Sequence, residues 1–518
     1  MKKKLLLFTI AIAAMMLPQG AWAQAEDLTA DVLYNLTSVG DGSVTGGTFE
    51  TSGITKIAET AWTLDGTTPY ITINLNKPLN AGDIIEISGK SNASDKYFRF
   101  YNSTTFGSSY GGAEIGIGTA ESVKQVVVKE PSNAANTLIG KSTIYMNYSS
   151  SGNTGTINYI KVLKGTPDVI SGTSKAWDFT QYTVNATATT YNMVHDQILF
   201  GKGVSVISMN DYKATSSSST STCTLLNVPG NSGNVENGKY IMFRVPAGKT
   251  IVSMDIVTNG TSGSKSLMYK IGNEDAETIS MSNTKYPVNK TFDVYVSEDT
   301  PVYIYVGGTS NTFYFKNLSL TITPAPTINI NTIDYATFSS SLALDFTDSG
   351  AEAYIVKGES NGILTYEKVT KVKGETGLLL VGTAGSTCSP AVINPEEATD
   401  YSAGNLLKPT LTATTVGTTE GADYGKVWVL GNKSGAGFYK ANNGRSLAVG
   451  KAYLYLDGGI SAAREFFAFN FDDETTSIAD VRDKMEDVRS EYFDLQGRRV
   501  LAPTKGLYIK NGKKYVIK

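Results

Sequence analysis

The chain has 518 residues, 45 Lys and Arg against 48 Asp and Glu, one His and a sequence pI near 5.6. An acidic balance of this kind argues against nucleic acid as a partner, since such proteins carry a basic footprint. At ~150 residues per domain the length predicts about three domains.

The first element is a leader. Lys2, Lys3 and Lys4 precede an apolar run from Leu5 to Leu17, then Pro18 and the small-x-small site Ala21-Trp22-Ala23. This is the pattern of a secretory signal peptide, 1–23, with the mature chain starting at Gln24. The run is too short to span a bilayer, and no later stretch approaches ~20 apolar residues. No Cys follows the cleavage site, so a lipid anchor is not expected.

From there the chain reads as all-β. Runs such as "YITINLN" (70–76), "DIIEISG" (83–89), "KQVVVKE" (124–130), "YIMFRV" (240–245) and "FDVYVS" (292–297) alternate or stay apolar over about five residues between turn residues. An internal repeat appears at domain length: "TIYMNYSSSGNTGTINYIKVL" (143–163) lies without gaps on "PVYIYVGGTSNTFYFKNLSLT" (301–321). Upstream, "LNAGDII" (79–85) is like "VPAGKTI" (245–251). A period this long means duplication of a domain and not a solenoid. Two tandem β-sandwiches follow, 28–166 and 169–325. Their order of opening strand, "AG" turn, long apolar strand and closing hairpin resembles the jelly-roll sandwiches of carbohydrate-binding and galactose-binding-like modules.

Pro324 and Pro326 in "TITPAPTINI" (321–330) mark the next boundary. The runs after it, "NTIDYATFSSSLALDF" (331–346), "VKGETGLLLVG" (372–382), "VWVLGNKSGAGFYK" (427–440) and "VGKAYLYL" (449–456), predict a third β-rich domain over 327–472. Their order resembles a domain that recurs near the C-terminus of surface proteins from bacteria with type IX secretion. That resemblance implies a surface protein and transfers no site residue.

The last segment, 475–518, begins with the charged stretch "SIADVRDKMEDVRSE" (477–491), read as a linker, and ends in a hairpin. Asn511-Gly512 in "YIKNGKKYVI" is a strong hairpin signal, because a type I′ turn needs positive φ at both central residues. After Asp494 the run holds seven cations and no acid. Lysines on an edge hairpin discourage pairing with other strands, which is a sufficient physical account of them. The residues Asp494, Leu495, Gly497 and Arg498, then Gly506 and Tyr508, then Asn511, Gly512 and Lys513, also resemble the end of the sorting domain that directs type IX secretion. The match covers only about 478–518, shorter than the whole of that domain. It implies export machinery as a partner and an outer-surface or secreted location.

Catalytic and metal chemistry is thin. The single His195 is followed by Asp196 and reads as structural, since a triad needs a nucleophile and an oriented third group. One His excludes a His-based zinc site. The acidic runs "NEDAE" (273–277) and "NFDDE" (470–474) lack calcium-loop spacing. A structural calcium built from distant loops stays open, and no cofactor is expected. Cys223 and Cys388 read as two unrelated thiols.

The ligand-contact candidates are Tyr97, Arg99 and Tyr101 in "KYFRFYNSTTFGSSYGG" (96–112). On a strand they share one face while Phe98 and Phe100 share the other. Burying the Phe pair leaves two phenol rings beside a guanidinium, suited to a sugar's C–H face and hydroxyls or a uronate. An ordinary Tyr/Arg ladder is the competing account. The expected function is a non-catalytic secreted or surface protein that binds carbohydrate or mediates adhesion. A polysaccharide-degrading enzyme or its accessory subunit and a structural spacer are the alternatives.

Overall fold

The computed structural model describes residues 31–38, 43–52, 54–58, 61–64, 70–106, 110–148, 155–184, 192–230, 239–258, 264–308, 311–419, 421–441, 443–457, 465–469, 492–493, 499–500, 505–510 and 513–517. The leader, most of the linker, Asp494, Leu495, Gly497, Arg498, Asn511 and Gly512 lie outside them, as does the acidic run 470–474. The described residues are all-β apart from short 3-10 turns, and no helix among them is long and apolar enough to cross a membrane.

The chain divides into two compact units. The first holds residues 1–327 with 342–345 and 389–398, and the second holds the remainder. Two sandwiches make up most of the first unit. One runs through β1 (Val32–Ser38), β2 (Ser43–Thr45), β3 (Gly47–Ser52), β4 (Ile54–Ala58), β5 (Ala61–Leu64), β6 (Tyr70–Leu75), β7 (Ile84–Ser91), β8 (Lys96–Tyr101), β9 (Glu114–Ile117), β10 (Ser122–Val127), β11 (Thr143–Tyr148) and β12 (Gly155–Leu163). The other runs through β13 (Ser174–Asp178), β14 (Met193–His195), β15 (Ile198–Phe200), β16 (Ser205–Lys213), β17 (Thr220–Pro229), β18 (Tyr240–Val245), β19 (Gly248–Thr258), β20 (Ser264–Ile271), β21 (Glu277–Ser282), β22 (Val288–Val296), β23 (Thr300–Val306) and β24 (Thr312–Pro324).

The pairings repeat nearly strand for strand. In the first sheet of each copy the closing strand is central: β12 lies between β7 on one side and β1 with β5 on the other, as β24 lies between β19 and β13 with β17. The second sheets run β3-β6-β11-β8-β9 and β15-β18-β23-β20-β21. The hairpin β11–β12 thus corresponds to β23–β24, the pair whose sequences align. One difference is that β2 pairs with β1, whereas β14 pairs with β15.

Alternation explains the burial. In β6 every second residue, Ile71, Ile73 and Leu75, turns inward. Ile71, Ile73, Phe98, Phe100, Ile144 and Met146 meet Ile85, Ile87, Ile160 and Val162 of the other sheet in one core. The second core is larger and contains Trp177, Phe243, Phe313 and Phe315. The "AG" turn is tied to the end of β12 through Asp83, which is buried and accepts the N–H groups of Asn80 (2.8 Å) and Gly165 (3.0 Å). Burial pushes its carboxyl above the ordinary aspartate range.

The second unit has its own core of Leu379, Leu407, Trp428, Phe438, Leu454 and Phe467. Near the chain end, Gly506–Lys510 pairs with Lys513–Ile517, opposing Lys510 to Lys513 as a two-residue link requires, and Tyr492–Phe493 adds a strand beside it. Gly506 and Tyr508 sit on the first of these strands. Cys223 and Cys388 are free thiols.

Candidate functional site

The aromatic and guanidinium row sits on β8, in the interior of a five-stranded sheet with β11 on one side and β9 on the other. The inward half is as expected: Phe98 and Phe100 are fully buried. On the outward half, register places Arg99 between Asn147 of β11 and Glu114 of β9, and Tyr97 opposite Gly116. The Tyr97 ring lies over Gly116, near enough that a Cβ there would touch it at 3.4 Å.

Arg99 is the centre of the arrangement. Its Nε donates to Glu114 Oε2 in an ion pair about a quarter exposed on each side. Its Cζ lies 5.6 Å from the Tyr97 ring centroid and 5.2 Å from that of Tyr110. Both rings are within the range where a cation is attracted to the ring face. Tyr110 reaches this position because the loop after β8 turns back along its own strand: Gly111 N–H bonds to Phe100 O at 2.8 Å, and Phe100 N–H to Ala113 O at 3.1 Å. The guanidinium is therefore flanked by two phenols and tethered by a carboxylate at the water-facing surface.

Tyr101 departs from the expected row. It is only 4 % exposed, because Phe106 packs edge-on against its ring at 5.1 Å and also meets Tyr70 at 5.2 Å. Burial raises the Tyr101 phenol above its ordinary pKa, opposed by the charge of Arg99 and a hydrogen bond to it. Tyr101 thus contacts Arg99 and offers no open ring. Its expected place beside Arg99 on the open face is taken by Tyr110 and Glu114. Period-two alternation in "EIGI" would have put Glu114 and Gly116 on one face, but only the β8–β9 register aligns that face with Arg99.

The second copy does not repeat the site. With β11 matched to β23, the cross-strand pairs place Ser266 and Met268 where Tyr97 and Arg99 stand. His195 has its Nδ1 3.9 Å from Asp31 Oδ1 and its ring edge-on to Tyr182, while the adjacent Asp196 pairs with Lys175 at 2.6 Å. Glu277 of the 273–277 run accepts a hydrogen bond from Tyr269, and among the described residues no three His, Cys, Asp or Glu side chains converge as metal ligands.

No protein-family model matches the chain, and no curated protein does. Among solved structures, the tandem CBM22-1-CBM22-2 domain of Paenibacillus barcinonensis Xyn10C aligns at 12% identity and TM-score 0.21, over 57% of this chain and 98% of that one. A truncated AlyQ with CBM32 and alginate lyase domains aligns at 10% identity and TM-score 0.17, over 57% and 99%. A triple jelly-roll protein of an archaeal virus aligns at 13% identity and TM-score 0.18, over 70% and 94%. The all-β class rests on the strand pairing itself.

Proposed function

We propose that the chain is a secreted or surface-displayed protein that binds carbohydrate without cleaving it, through the face around Arg99. The observation that carries this reading is the guanidinium held between Tyr97 and Tyr110 and tethered by Glu114. A sugar ring has an apolar C–H face and an equatorial rim of hydroxyls. Aromatic rings complement the first, and a guanidinium donates N–H groups to the second. Fixing the guanidinium in advance lowers the ordering cost of binding.

The test is retention of the purified chain on a polysaccharide panel, with release of reducing or unsaturated ends followed in parallel. Tyr97→Ala, Arg99→Ala and Tyr110→Ala are each expected to weaken binding to the retained glycan by about 1–2 kcal/mol, roughly five- to thirtyfold, as central interface residues do. Parental affinity in all three folded variants would refute the face, and release of ends would favour the polysaccharide-degrading alternative.

Localisation rests on the leader 1–23 and on the tail's likeness to a sorting domain. Deleting 475–518 is expected to abolish surface display while leaving the melting of the remaining domains nearly unchanged. Continued display of the truncated chain, or a large drop in its melting temperature, would contradict that role.

A further inference from the structure

The second unit contains a groove of about 1330 Å3, walled by the strands Val427–Gly431, Gly437–Lys440 and Arg445–Leu447 and by the segment 330–333. It is larger than the ~300–1,000 Å3 of a small-ligand pocket. An extended chain suits it better than a compact molecule. Lys433, Lys440, Arg445 and Lys451 line it, with Glu465 as the one carboxylate. In a chain of net charge −3 this is a local reversal of sign. Elsewhere lysines stand beside acids, as Lys249 does with Asp293 and Lys426 with Asp457. Among the described residues, Lys433, Arg445 and Lys451 have no ion-pair partner.

The backbone places these cations. Lys433 rides on the link between the paired Gly431 and Gly437, and that link is pinned by the Tyr439 hydroxyl, which accepts the Ser434 N–H and donates to Gly435 O at 2.6 Å. Arg445 leaves a turn in which Asn443 and Gly444 both have positive φ and Gly444 N–H bonds to Gly417 O at 3.0 Å. Lys451 is held by its N–H to Thr410 Oγ1 at 3.0 Å. Lys440 N–H bonds to Glu465 O at 3.0 Å. Beside them the Tyr439 and Phe466 rings pack at 4.5 Å, giving the groove an apolar wall.

We propose that this groove binds a chain of uronate sugars. The Arg445 fork matches a carboxylate through two parallel N–H bonds, the lysines act as point charges, and the Tyr439–Phe466 wall meets sugar C–H faces. An inorganic polyphosphate strand is disfavoured because it has no C–H face to lay on the Tyr439–Phe466 wall. The inference is independent of the Arg99 face.

The experiment uses the full chain in a Tyr97→Ala, Arg99→Gln, Tyr110→Ala background, which removes both rings and the guanidinium of the first-unit face. It is titrated with an oligogalacturonate, an oligomannuronate and the same oligomers with their carboxylates reduced to alcohols. At least one uronate is expected to bind about tenfold or more tighter than its reduced form, a difference near 1.4 kcal/mol, and to weaken as salt rises. Adding Lys433→Gln with Arg445→Gln, both exposed positions, is expected to remove about tenfold of that affinity while leaving the melt unchanged. The proposal is overturned if neither uronate binds, if charged and reduced oligomers bind alike, if the folded double variant binds like its parent, or if a DNA strand of equal charge binds more tightly.

Discussion

Replacing Trp177 by alanine is expected to destabilise the second sandwich by about 3–5 kcal/mol, the range for removing a large buried aromatic side chain. Trp177 is 2 % exposed and packs against Phe243 at 6.1 Å. It stands on β13 of the first sheet, yet its indole N–H donates to Asp196 O at 2.9 Å, in the turn that joins β14 to β15 of the second. Asp196 and Gln197 both hold positive φ there, 47° and 66°, so the bond clamps a strained turn across the sandwich. Trp177→Phe removes the donor but keeps a buried six-membered ring; it should cost less, about 1–2 kcal/mol. Urea unfolding followed by circular dichroism measures both. Equal losses in the two variants would mean that the hydrogen bond and not the packing carries the effect, and a loss below ~1 kcal/mol for alanine would show that the site collapses around the gap.

Gly248→Ala is expected to be the most damaging single methyl group in the same sandwich. Gly248 has φ of +142°, and a Cβ there would lie 2.3 Å from Thr323 O and 2.9 Å from Pro324 Cα. Those are backbone atoms of β24, the strand with which Gly248 is paired, so relief requires opening the ladder. The conformation costs an L-residue about 1–3 kcal/mol and the overpacking a similar amount, for a total of roughly 2–6 kcal/mol. Gly82, at the matching "AG" turn of the first copy, has φ of +93°, but its Cβ would first meet the movable Thr166 side chain at 3.2 Å. Calorimetry of the two variants should therefore show a larger fall in melting temperature for Gly248→Ala than for Gly82→Ala.

Much of the architecture was legible in the chain because alternation is a local property. "YITINL" states its two faces residue by residue, and the aligned closing hairpins state that the same topology occurs twice. What alternation does not state is whether another part of the chain covers a face. Tyr101 has the same parity as Tyr97 and Arg99, yet Phe106 from the following loop lies on it. Tyr110 and Glu114 are not legible for a related reason: they join Arg99 only through the β8–β9 register and the return of the loop along its own strand. The cations of the second unit are invisible in the same way, spread over a loop and three strands whose meeting is a tertiary fact.

The central position of the closing strand bears on how each sandwich is made. Leu36 waits for Ile160, and Trp177 for Leu318, so the ladders that bind the first sheet together span nearly the whole module. Contacts of such high sequence separation slow folding, because the chain must surrender the freedom of a long loop before any pairing repays it. Synthesis runs from the N-terminus, so the member that both halves of the sheet require is the last to arrive. A chain cut just before Thr312 would keep every other strand of the second sandwich and lose the one that joins them.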